Sequence, residues 1–400
     1  MRVVLTTESY LPYLSGVTVS VDALARGLRA IGHEVLVVAP RPARGAQIEP
    51  VGSPGPAPRH LWLPSYQPPV VAPPAYRMPL PIPWAGAMRE VHAFGPDVIH
   101  AHSPFVTGLL ARRLARSVHA PLVFTHHTRF ADYAHYLGPL AVPGGRLTDA
   151  YLRGFWRACA AIVAPSEDLA RTIRARIGED RASRVHVIPT GVDVAGIRAL
   201  NPLDPRPAEG WPSDALVVAS LGRLAPEKSP GVLLDAVALA AATVPRLRLL
   251  MVGGGPSEAD LRARAALPDL AGRVHITGTR PRPEALARVA GADLFLFTSR
   301  TETQGLVLAE ALSVGLPAVA VDGPGVRDSI RDGVDGVIVP AEPAGSLVPR
   351  LAEAVAGMAE DHARRSAMGE RARWDADRFA VERRVAEVEA LYRAVAEGGA

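Results

Sequence analysis

The order of apolar and helical segments along the chain predicts an α/β fold with two doubly wound, Rossmann-like domains. Short, continuously apolar runs recur throughout, and longer segments with helical periodicity separate them. Strands that are apolar on both faces belong to parallel sheets covered by helices on both sides. A length of 400 residues exceeds what one compact core usually holds and suits two domains.

Each half of the chain carries about five of these apolar runs. The predicted strands are residues 2–7, 34–40, 97–102, 121–126 and 161–166, then 215–222, 247–255, 273–278, 292–299 and 317–322. We expect a first domain of residues 1–190 and a second of residues 191–379. A last helix is predicted over about 377–396. Residues 50–84, with twelve prolines, are expected to form a long irregular excursion, and loops of that length are usually functional.

Composition narrows the setting and the partners. The single cysteine, Cys159, excludes an internal disulfide and a cysteine-built zinc site. The opening residues lack the apolar core of a signal peptide, and no apolar run reaches the ~20 residues of a membrane span, so we expect a cytoplasmic protein. Residues 1–190 contain 20 Arg against 12 Asp and Glu. This excess favours an anionic partner, either a membrane surface or nucleic acid.

One lysine stands out from the other basic residues. Of 44 basic residues 43 are Arg, and only Lys228 is Lys. Where Arg has replaced Lys so widely, a remaining Lys suggests a site that needs a compact ammonium charge. Arg223 lies five positions earlier in the same loop, directly after a predicted strand. The two side chains could grip one diphosphate, as a planar fork and a point charge.

The stretch LFLFTSRTETQGLVLAEALSVGLP, residues 294–317, predicts a strand, a loop and a helix that begins at Gln304 or Gly305. The first N–H groups of such a helix form an anion site, which the helix dipole favours. Glu302 precedes the helix and Glu310 lies more than a turn inside it. Two carboxylates around a phosphate cradle fit a nucleotide sugar, whose hydroxyl groups flank a diphosphate.

Two other segments offer competing interpretations. MVGGGPSEADL, residues 251–261, contains Gly253 and Gly255 but lacks the third glycine of a dinucleotide-binding fingerprint, which disfavours a dehydrogenase. FTHHTRFADYAHYLG, residues 124–138, is rich in histidine. No histidine pair in it has the zinc-binding i,i+4 spacing with a glutamate between, and cysteines are lacking, so we expect no metal site.

Together these motifs resemble the glycosyltransferases of family 4, which are retaining, metal-independent enzymes. The resemblance covers the Glu-x7-Glu pattern of 302–310, Arg-Leu-x-x-Glu-Lys at 223–228, GGGP at 253–256 and PTGVD at 189–193. It implies a GT-B fold, in which two Rossmann-like domains face an interdomain cleft and a C-terminal helix, about 380–400, crosses back onto the first domain. TETQGL, HTRFADYAHY and ESYLPYLSGV are most similar to bacterial 1,2-diacylglycerol 3-alpha-glucosyltransferases.

The resemblance implies a role for each matching position. Arg223 and Lys228 would bind the donor diphosphate, Glu302 the donor sugar, and His127 the sugar near its reacting carbon; these four form the implied catalytic set. Glu310 would bind the ribose, and the amides of 304–307 the distal phosphate. The implied donor-binding residues are Gly16, Gly253, Gly255, Thr303, Gln304, Gly305, Leu306, Val307 and Glu310. No cofactor or metal is expected.

The implied activity is transfer of a hexose from a nucleotide sugar, UDP-glucose first, to a membrane lipid such as diacylglycerol, giving an α-glycoside. Other donors (GDP-mannose, UDP-galactose, UDP-N-acetylglucosamine) and a soluble acceptor stay open. A basic nucleic-acid-binding module is the non-enzymatic alternative, which the phosphate turns disfavour. We expect peripheral association with an anionic membrane. The candidate acceptor and membrane contacts are Arg112, Arg113, Arg116, Tyr133 and Tyr136.

Overall fold

The computed structural model describes residues 1–48, 55–68, 75–81, 84–128 and 141–398, without the side chains of 141–146. The chain divides into two compact units, each with its own core. The first contains Met1–Asp193 together with the C-terminal residues from Val381 onward, and the second is Val194–Ala380. Tyr133 and Tyr136 lie outside the described residues.

The described residues of the first unit form a seven-stranded parallel sheet and a separate short hairpin. The sheet strands are β1 (Arg2–Thr6), β2 (Glu34–Pro40), β3 (Arg59–Leu63), β6 (Val98–Ala101), β7 (Leu122–Thr125), β8 (Ala161–Ala164) and β9 (Val185–Val187), and the hairpin is β4 (Ser65–Tyr66) with β5 (Met78–Pro79). The sheet order is β3-β2-β1-β6-β7-β8-β9. The order therefore reverses between β1 and β6, where doubly wound sheets bind their ligands.

Helices cover both faces of this sheet because successive strand residues point to opposite sides. The helices are α1 (Gly16–Ala30), α2 (Ala85–Phe94), α3 (Val106–Val118), α4 (Ala141–Trp156), α5 (Glu167–Ile177) and the C-terminal α15 (Val381–Glu397). On β1, Val3 and Leu5 pack with α1 and α15, whereas Val4 packs in the cluster that contains α2, α3, α4 and α5. The continuous apolar runs follow from this two-sided burial.

Helix α15 packs closely on the first unit. A Cβ added at Gly27 of α1 would lie 2.4 Å from Val385, so the helix contact leaves no room for a side chain there. The Val381 N–H donates to Val192 O at 3.0 Å, where the chain returns to this unit. Tyr392, fully buried, lies with its hydroxyl 2.5 Å from His100 Nδ1. The end of the chain is therefore part of the first unit's core.

The second unit has the strand order of a Rossmann fold. Its strands are β10 (Leu216–Leu221), β11 (Leu247–Val252), β12 (Val274–Ile276), β13 (Leu294–Phe297), β14 (Ala318–Val321) and β15 (Gly336–Val339). They are parallel and lie in the order β12-β11-β10-β13-β14-β15. Its helices are α6 (Val194–Arg198), α7 (Pro205–Ala208), α8 (Pro230–Thr243), α9 (Glu258–Ala265), α10 (Arg282–Ala290), α11 (Leu306–Ser313), α12 (Val326–Ser329), α13 (Leu347–Glu360) and α14 (His362–Trp374). The order reverses between β10 and β13.

All ten predicted strands are confirmed, but the prediction of a long irregular excursion over residues 50–84 is partly wrong. Residues 59–63 pair in parallel with β2, from Leu36 beside Arg59 to Pro40 beside Leu63. This strand is at the sheet edge, and Pro58 and Pro64 flank its five residues. Prolines are tolerated at an edge strand because they cannot donate a hydrogen bond to a neighbouring strand. Their presence led the sequence analysis to predict a loop where a short strand lies. The edge strands β9 and β15 were not predicted either.

No helix in the described ranges has both the length and the apolar character that crossing a membrane requires.

Candidate active site

Two loops meet at the strand reversal of the second unit. The loop after β10 carries a short 3-10 turn, Pro226–Lys228, and the loop after β13 carries Glu302. The Thr298 hydroxyl donates to the carbonyls of Lys228 and Ser229 at 3.2 and 3.1 Å. The Thr301 hydroxyl donates to Glu227 O at 3.1 Å. These side-chain bonds fix one loop against the other at the carboxyl edge of the sheet.

The fixed loops bring Lys228 and Glu302 into contact. Lys228 Nζ lies 2.5 Å from Glu302 Oε1, and the two side chains are 25% and 23% exposed. Arg223 is 56% exposed and lies 3.8 Å from Glu227. Each of the two predicted phosphate-binding cations therefore lies beside a carboxylate. A diphosphate could replace these carboxylates as the partner of both cations.

The start of α11 has the geometry of an anion site. Gly305 caps the helix with φ 73° and ψ 57°, a left-handed conformation that favours glycine. The N–H groups of Leu306 and Val307, in the first turn, have no carbonyl partner within the helix. Gln304 is buried, and a Cβ at Gly325 would lie 2.6 Å from Gln304 Cα. The loop before α11, which includes Thr303, is thus packed closely against Gly325.

Glu310 is a carboxylate in the interior of the second unit. It is 1% exposed and pairs with Arg282, the first residue of α10. Burial raises the pKa of Glu310, while the nearby guanidinium of Arg282 opposes that rise. Its Oε2 is buried and has no hydrogen-bond partner among the described residues. A buried carboxylate oxygen without a donor is costly, so this atom is suited to accept from a ligand hydroxyl.

Gly253 and Gly255 have a packing role that the sequence did not reveal. A Cβ at Gly253 would lie 1.9 Å from Gly222 O, and one at Gly255 would lie 2.3 Å from Leu224 O. The turn after β11 therefore lies directly against the backbone that flanks Arg223. This contact explains both glycines and positions the Arg223 loop. Their contact with a donor stays a prediction.

In the first unit, an open pocket of about 150 Å³ lies at the carboxyl ends of β1 and β6. Its lining includes Glu8, Tyr76, His102, Phe105 and His127. Gly16, the first residue of α1, is exposed, and Ser15 caps that helix by accepting from the Thr18 N–H at 3.2 Å.

His127 is half-buried and contacts a group of buried histidines. Its Nε2 lies 2.9 Å from His102 Nδ1. His100 Nε2 lies 2.7 Å from the Thr125 hydroxyl, and its Nδ1 contacts Tyr392. Burial lowers the pKa of His127 to about 4 and that of His100 to about 3, and it holds the pKa of His102 well below its usual value. All three rings are therefore neutral at pH 7.

Sequence reasoning missed Glu8, His102 and Arg282. Glu8 Oε1 accepts from the Thr107 N–H at 3.1 Å, at the start of α3, and burial raises the pKa of the Glu8 carboxyl. Glu8 and His102 follow the carboxyl ends of β1 and β6 within two residues. That position is a usable signal, because ligands of doubly wound sheets bind there. Arg282 follows a short edge strand and carried no comparable signal.

The three arginines expected to contact lipid differ in exposure. Arg113 and Arg116 are exposed on α3, whereas Arg112 is half-buried and its Nε is shielded from solvent. Arg112 is therefore less exposed than Arg113 and Arg116, and its contact with an acceptor or a membrane stays a prediction. Phe105 and Leu109, at the start of α3, are 40% and 42% exposed, and Leu147 of α4 is 73% exposed.

No group of three His, Cys, Asp or Glu side chains that could hold a metal ion occurs in the part of the chain that the structure describes.

Two Rossmann-like units, one with cations and a helix start suited to a diphosphate, define a glycosyltransferase of the GT-B type. Comparison with known proteins supports this class. Residues 14–195 match the profile described as Glycosyltransferase Family 4, and residues 204–375 match Glycosyl transferases group 1. The chain belongs to glycosyltransferase family 4.

The relatives of this chain are named for different sugars. A GDP-mannose-dependent alpha-mannosyltransferase of Mycobacterium tuberculosis is 31% identical over 92% of both chains. An alpha-monoglucosyldiacylglycerol synthase of Acholeplasma laidlawii is 27% identical over 84% of both chains. Among solved structures, Anabaena Alr3699/HepE in complex with UDP and glucose superposes with a TM-score of 0.73, covering 98% of this chain and 100% of the other at 19% identity. That similarity shows a common fold.

Proposed function

We propose that this glycosyltransferase is a retaining hexosyltransferase that moves glucose from UDP-glucose to a membrane lipid such as diacylglycerol. The observation that carries the donor half is the group at the strand reversal of the second unit. There the Lys228–Glu302 pair, the start of α11 and the unpartnered oxygen of Glu310 combine two kinds of groups. The cation and the free N–H groups suit a diphosphate, and the carboxylates suit sugar hydroxyls.

Each group has a defined part in donor binding. Lys228 and Arg223 exchange their carboxylate partners for phosphate oxygens, and the amides of Leu306 and Val307 receive the distal phosphate. Glu302, released from Lys228, accepts from hydroxyls of the transferred sugar. Glu310 Oε2 accepts from a ribose hydroxyl. Charge-assisted hydrogen bonds of this kind are stronger than neutral ones and fix the orientation of the donor.

The proposed reaction keeps the configuration of the sugar. The bond between the anomeric carbon and the diphosphate oxygen breaks, and the acceptor oxygen bonds to that carbon on the same face. The acceptor proton passes to the departing phosphate oxygen. The protein stabilises the charge that builds on the diphosphate through Arg223, Lys228 and the α11 amides. Because these groups supply positive charge, we propose that no metal or cofactor is required.

A lipid acceptor is supported by the surface of the first unit. Phe105 and Leu109 are one helical turn apart, and the Phe105 ring stacks on Tyr151 of α4 at 6.1 Å. Leu147 lies one turn before Tyr151 on α4. Arg113 and Arg116 are exposed further along α3. Apolar side chains beside arginines fit the interface of an anionic membrane, so we propose peripheral attachment there.

GDP-mannose is the second candidate donor, because the mannosyltransferase of Mycobacterium tuberculosis is more similar over a larger share of the chain than the glucosyl-lipid synthase is. The two donors differ in base and sugar but share ribose and diphosphate. The group at the strand reversal suits either.

Product analysis by mass spectrometry tests the proposal. The purified protein is incubated with anionic vesicles that contain diacylglycerol and with UDP- and GDP-sugars in turn, with and without EDTA. We expect α-hexosyl-diacylglycerol from UDP-glucose in both conditions. Product from GDP-mannose alone would favour the second donor. Nucleotide release without a lipid product would overturn the lipid acceptor.

The configuration of the product and a matched pair of variants complete the test. A β-linked product would overturn retention, and loss of product with EDTA would overturn metal independence. Lys228→Ala should abolish most nucleotide release. Arg262→Ala, which removes an exposed cation 2.7 Å from Glu258 on α9, should leave it unchanged. Equal activity of the two variants would overturn the assignment of the donor site.

A further inference from the structure

The open pocket of the first unit contains a carboxylate and no cationic side chain. Among the described residues, its lining includes Glu8 but neither Lys nor Arg. His102 and His127 also line it, and burial lowers the pKa of both, so they are neutral at pH 7. Arg77 lines a smaller neighbouring pocket, but its guanidinium donates to Ser65 at 2.9 and 3.0 Å. The pocket therefore presents negative charge to a ligand.

Glu8 is held in place by the start of α3. Its Oε1 accepts from the Thr107 N–H at 3.1 Å, and the Val106 N–H and the Ser103 hydroxyl also donate to its carboxylate. Burial raises the pKa of Glu8, and these three donors oppose that rise. The N–H groups at a helix start attract anions. Here the protein's own carboxylate occupies them, so α3 cannot offer them to a phosphate group of a ligand.

The Glu8 carboxylate can still accept a hydrogen bond from a ligand. A carboxylate has about four lone-pair positions, and the three protein donors occupy at most three of them. The side chain is half-buried at the wall of the open pocket. A ligand hydroxyl can donate to it, whereas the oxygens of a phosphate are negatively charged and repel it. Glu8 therefore distinguishes a hydroxyl from a phosphate at the same position.

The pocket has the size of a small headgroup and adjoins an apolar surface. Its volume is about 150 Å³, and a cavity of about that size admits a molecule as large as benzene. Tyr76 and Phe105 give it aromatic walls. Phe105 is also 40% exposed, one helical turn before the exposed Leu109. A glyceryl group fits this volume, and acyl chains attached to it can lie along Phe105 and Leu109.

We propose that this pocket binds the headgroup of the acceptor and that Glu8 makes it specific for a neutral glycerolipid with a free hydroxyl. The Glu8 carboxylate accepts from that hydroxyl and disfavours lipids that carry a phosphate in its place. This assignment rests on the proposed function, which supplies a lipid acceptor. Glu8 acts in binding and specificity, and no step of the transfer is assigned to it.

The binding of two short-chain lipids that differ by one phosphate tests the proposal without a sugar donor. Dihexanoylglycerol has the free hydroxyl, and dihexanoylglycerol phosphate has a phosphate monoester in its place. Each is titrated in monomeric form into the full-length protein, whose twelve histidines are labelled with ¹⁵N in their rings. The readout is the signal of His127, which lines the pocket and is assigned by its loss in His127→Asn. This readout is local, so phosphate binding at exposed arginines does not contribute to it.

We expect dihexanoylglycerol to shift the His127 signal and dihexanoylglycerol phosphate to bind at least about 10-fold more weakly, because its charge lies beside the Glu8 carboxylate. Equal or tighter binding of the phosphate would overturn the proposal. A His127 signal that responds to neither lipid up to the solubility limit would overturn it as well.

A matched pair of variants assigns the preference to Glu8. Glu8→Gln removes the charge but keeps an oxygen that can accept from the Thr107 N–H, and the preference for the neutral lipid should fall at least about 10-fold. Glu34→Gln, exposed at the amino end of β2, should leave the preference unchanged. An unchanged preference in Glu8→Gln, folded by circular dichroism, would overturn the role of Glu8. The two lipids on the unaltered protein test the pocket even if Glu8→Gln does not fold.

The binding measurement needs no sugar nucleotide, so it separates the two levels of inference. If no sugar nucleotide is turned over but dihexanoylglycerol binds as expected, the proposed function fails while the pocket assignment stands. If transfer to diacylglycerol occurs while the His127 signal does not respond to the lipid, the pocket assignment fails and the proposed function stands.

Discussion

Lys228 is the one lysine of the chain, so replacing it with arginine tests directly whether its site needs a lysine. Its ammonium lies 2.5 Å from Glu302 in a chain that otherwise uses arginine for every basic position. An ammonium is compact and strongly hydrated, whereas a guanidinium is planar and longer. Thr298 and Thr301 hold the backbone of this loop through the carbonyls of Lys228 and Glu227. A guanidinium on the same backbone would hold its charge at a different position relative to Glu302.

We therefore expect Lys228→Arg to lose at least about 10-fold in kcat/KM, because the charge is kept but its position changes. The measurement is nucleotide release from the active sugar nucleotide, with Arg262→Lys on the exposed face of α9 as the control. Activity close to that of the unaltered protein would mean that Lys228 survives by chance rather than for its shape.

Glu310→Gln tests the unpartnered oxygen at the same site. The substitution removes the charge that Arg282 balances and weakens the acceptor offered to a ribose hydroxyl. Charge-assisted hydrogen bonds contribute about 1.5–3 kcal/mol, so nucleotide affinity should fall about 10- to 100-fold by calorimetry.

Glu284→Gln on α10 is the matched control for this measurement. Glu284 pairs with Arg288 at 2.9 Å and is 34% exposed, so its loss should leave affinity unchanged. If both variants bind nucleotide alike, the carboxylate of Glu310 serves folding only.

At the scale of elements, the contact between α1 and α15 sets two effects of glycine against each other. Gly27→Ala gains about 1 kcal/mol of helix propensity, but its Cβ would lie 2.4 Å from Val385. Overpacking costs about 1–3 kcal/mol, so we expect net destabilisation in urea unfolding.

The controls for Gly27→Ala use positions on the same unit. Gly154→Ala on α4 meets nothing within 4 Å and should stabilise by up to about 1 kcal/mol. Adding Val385→Ala to Gly27→Ala relieves the clash but leaves smaller side chains in the core, so it should recover only part of the loss. A stabilised Gly27→Ala protein would show that α15 does not pack on α1 as described.

The exposed face of α3 carries the membrane prediction. Arg113→Gln with Arg116→Gln should reduce flotation with anionic vesicles several-fold, since each basic residue near such a surface contributes about 1 kcal/mol. Nucleotide affinity should not change, because α3 belongs to the first unit. The control is Arg171→Gln on α5, whose side chain is 70% exposed. Flotation unaffected by the double substitution would mean that α3 does not bind the membrane and serves only in packing.

For the whole molecule, the sequence allowed the two parallel sheets to be predicted because their central strands are buried on both faces. Edge strands β3 and β9 were missed because short or partly exposed strands lack a continuous apolar run. Strand β15 has an apolar run as long as that of β14, so the sequence did contain a signal for it. Of the site, Lys228, Glu302 and the α11 start were predictable, since each follows a strand end in a recognisable motif. The Glu310–Arg282 and His102–His127 contacts were not, because they join residues on different elements.

The lowered pKa values of His100 and His127 make the free energy of unfolding depend on pH. In the unfolded chain each ionises with its ordinary pKa of 6.5, whereas in the folded protein burial lowers the pKa of His127 to about 4 and that of His100 to about 3. Between these values the unfolded chain binds more protons. The free energy of unfolding therefore falls as pH falls from 6.5, by up to about 1.4 kcal/mol per pH unit for each such histidine.

Urea unfolding from pH 7 to pH 4.5 measures this slope, and a difference between variants isolates one histidine from the other titrating groups. His127→Asn should lower the slope by up to about 1.4 kcal/mol per pH unit below pH 6.5, because one source of differential proton binding is gone. His119→Gln, at an exposed position after α3, should leave it unchanged. Above pH 7 both forms of His127 are neutral, so the two variants should share the pH dependence of the unaltered protein there. An unchanged slope in His127→Asn would mean that His127 takes up its proton in the folded state as readily as in the unfolded chain, and the lowered pKa of His127 would then be wrong.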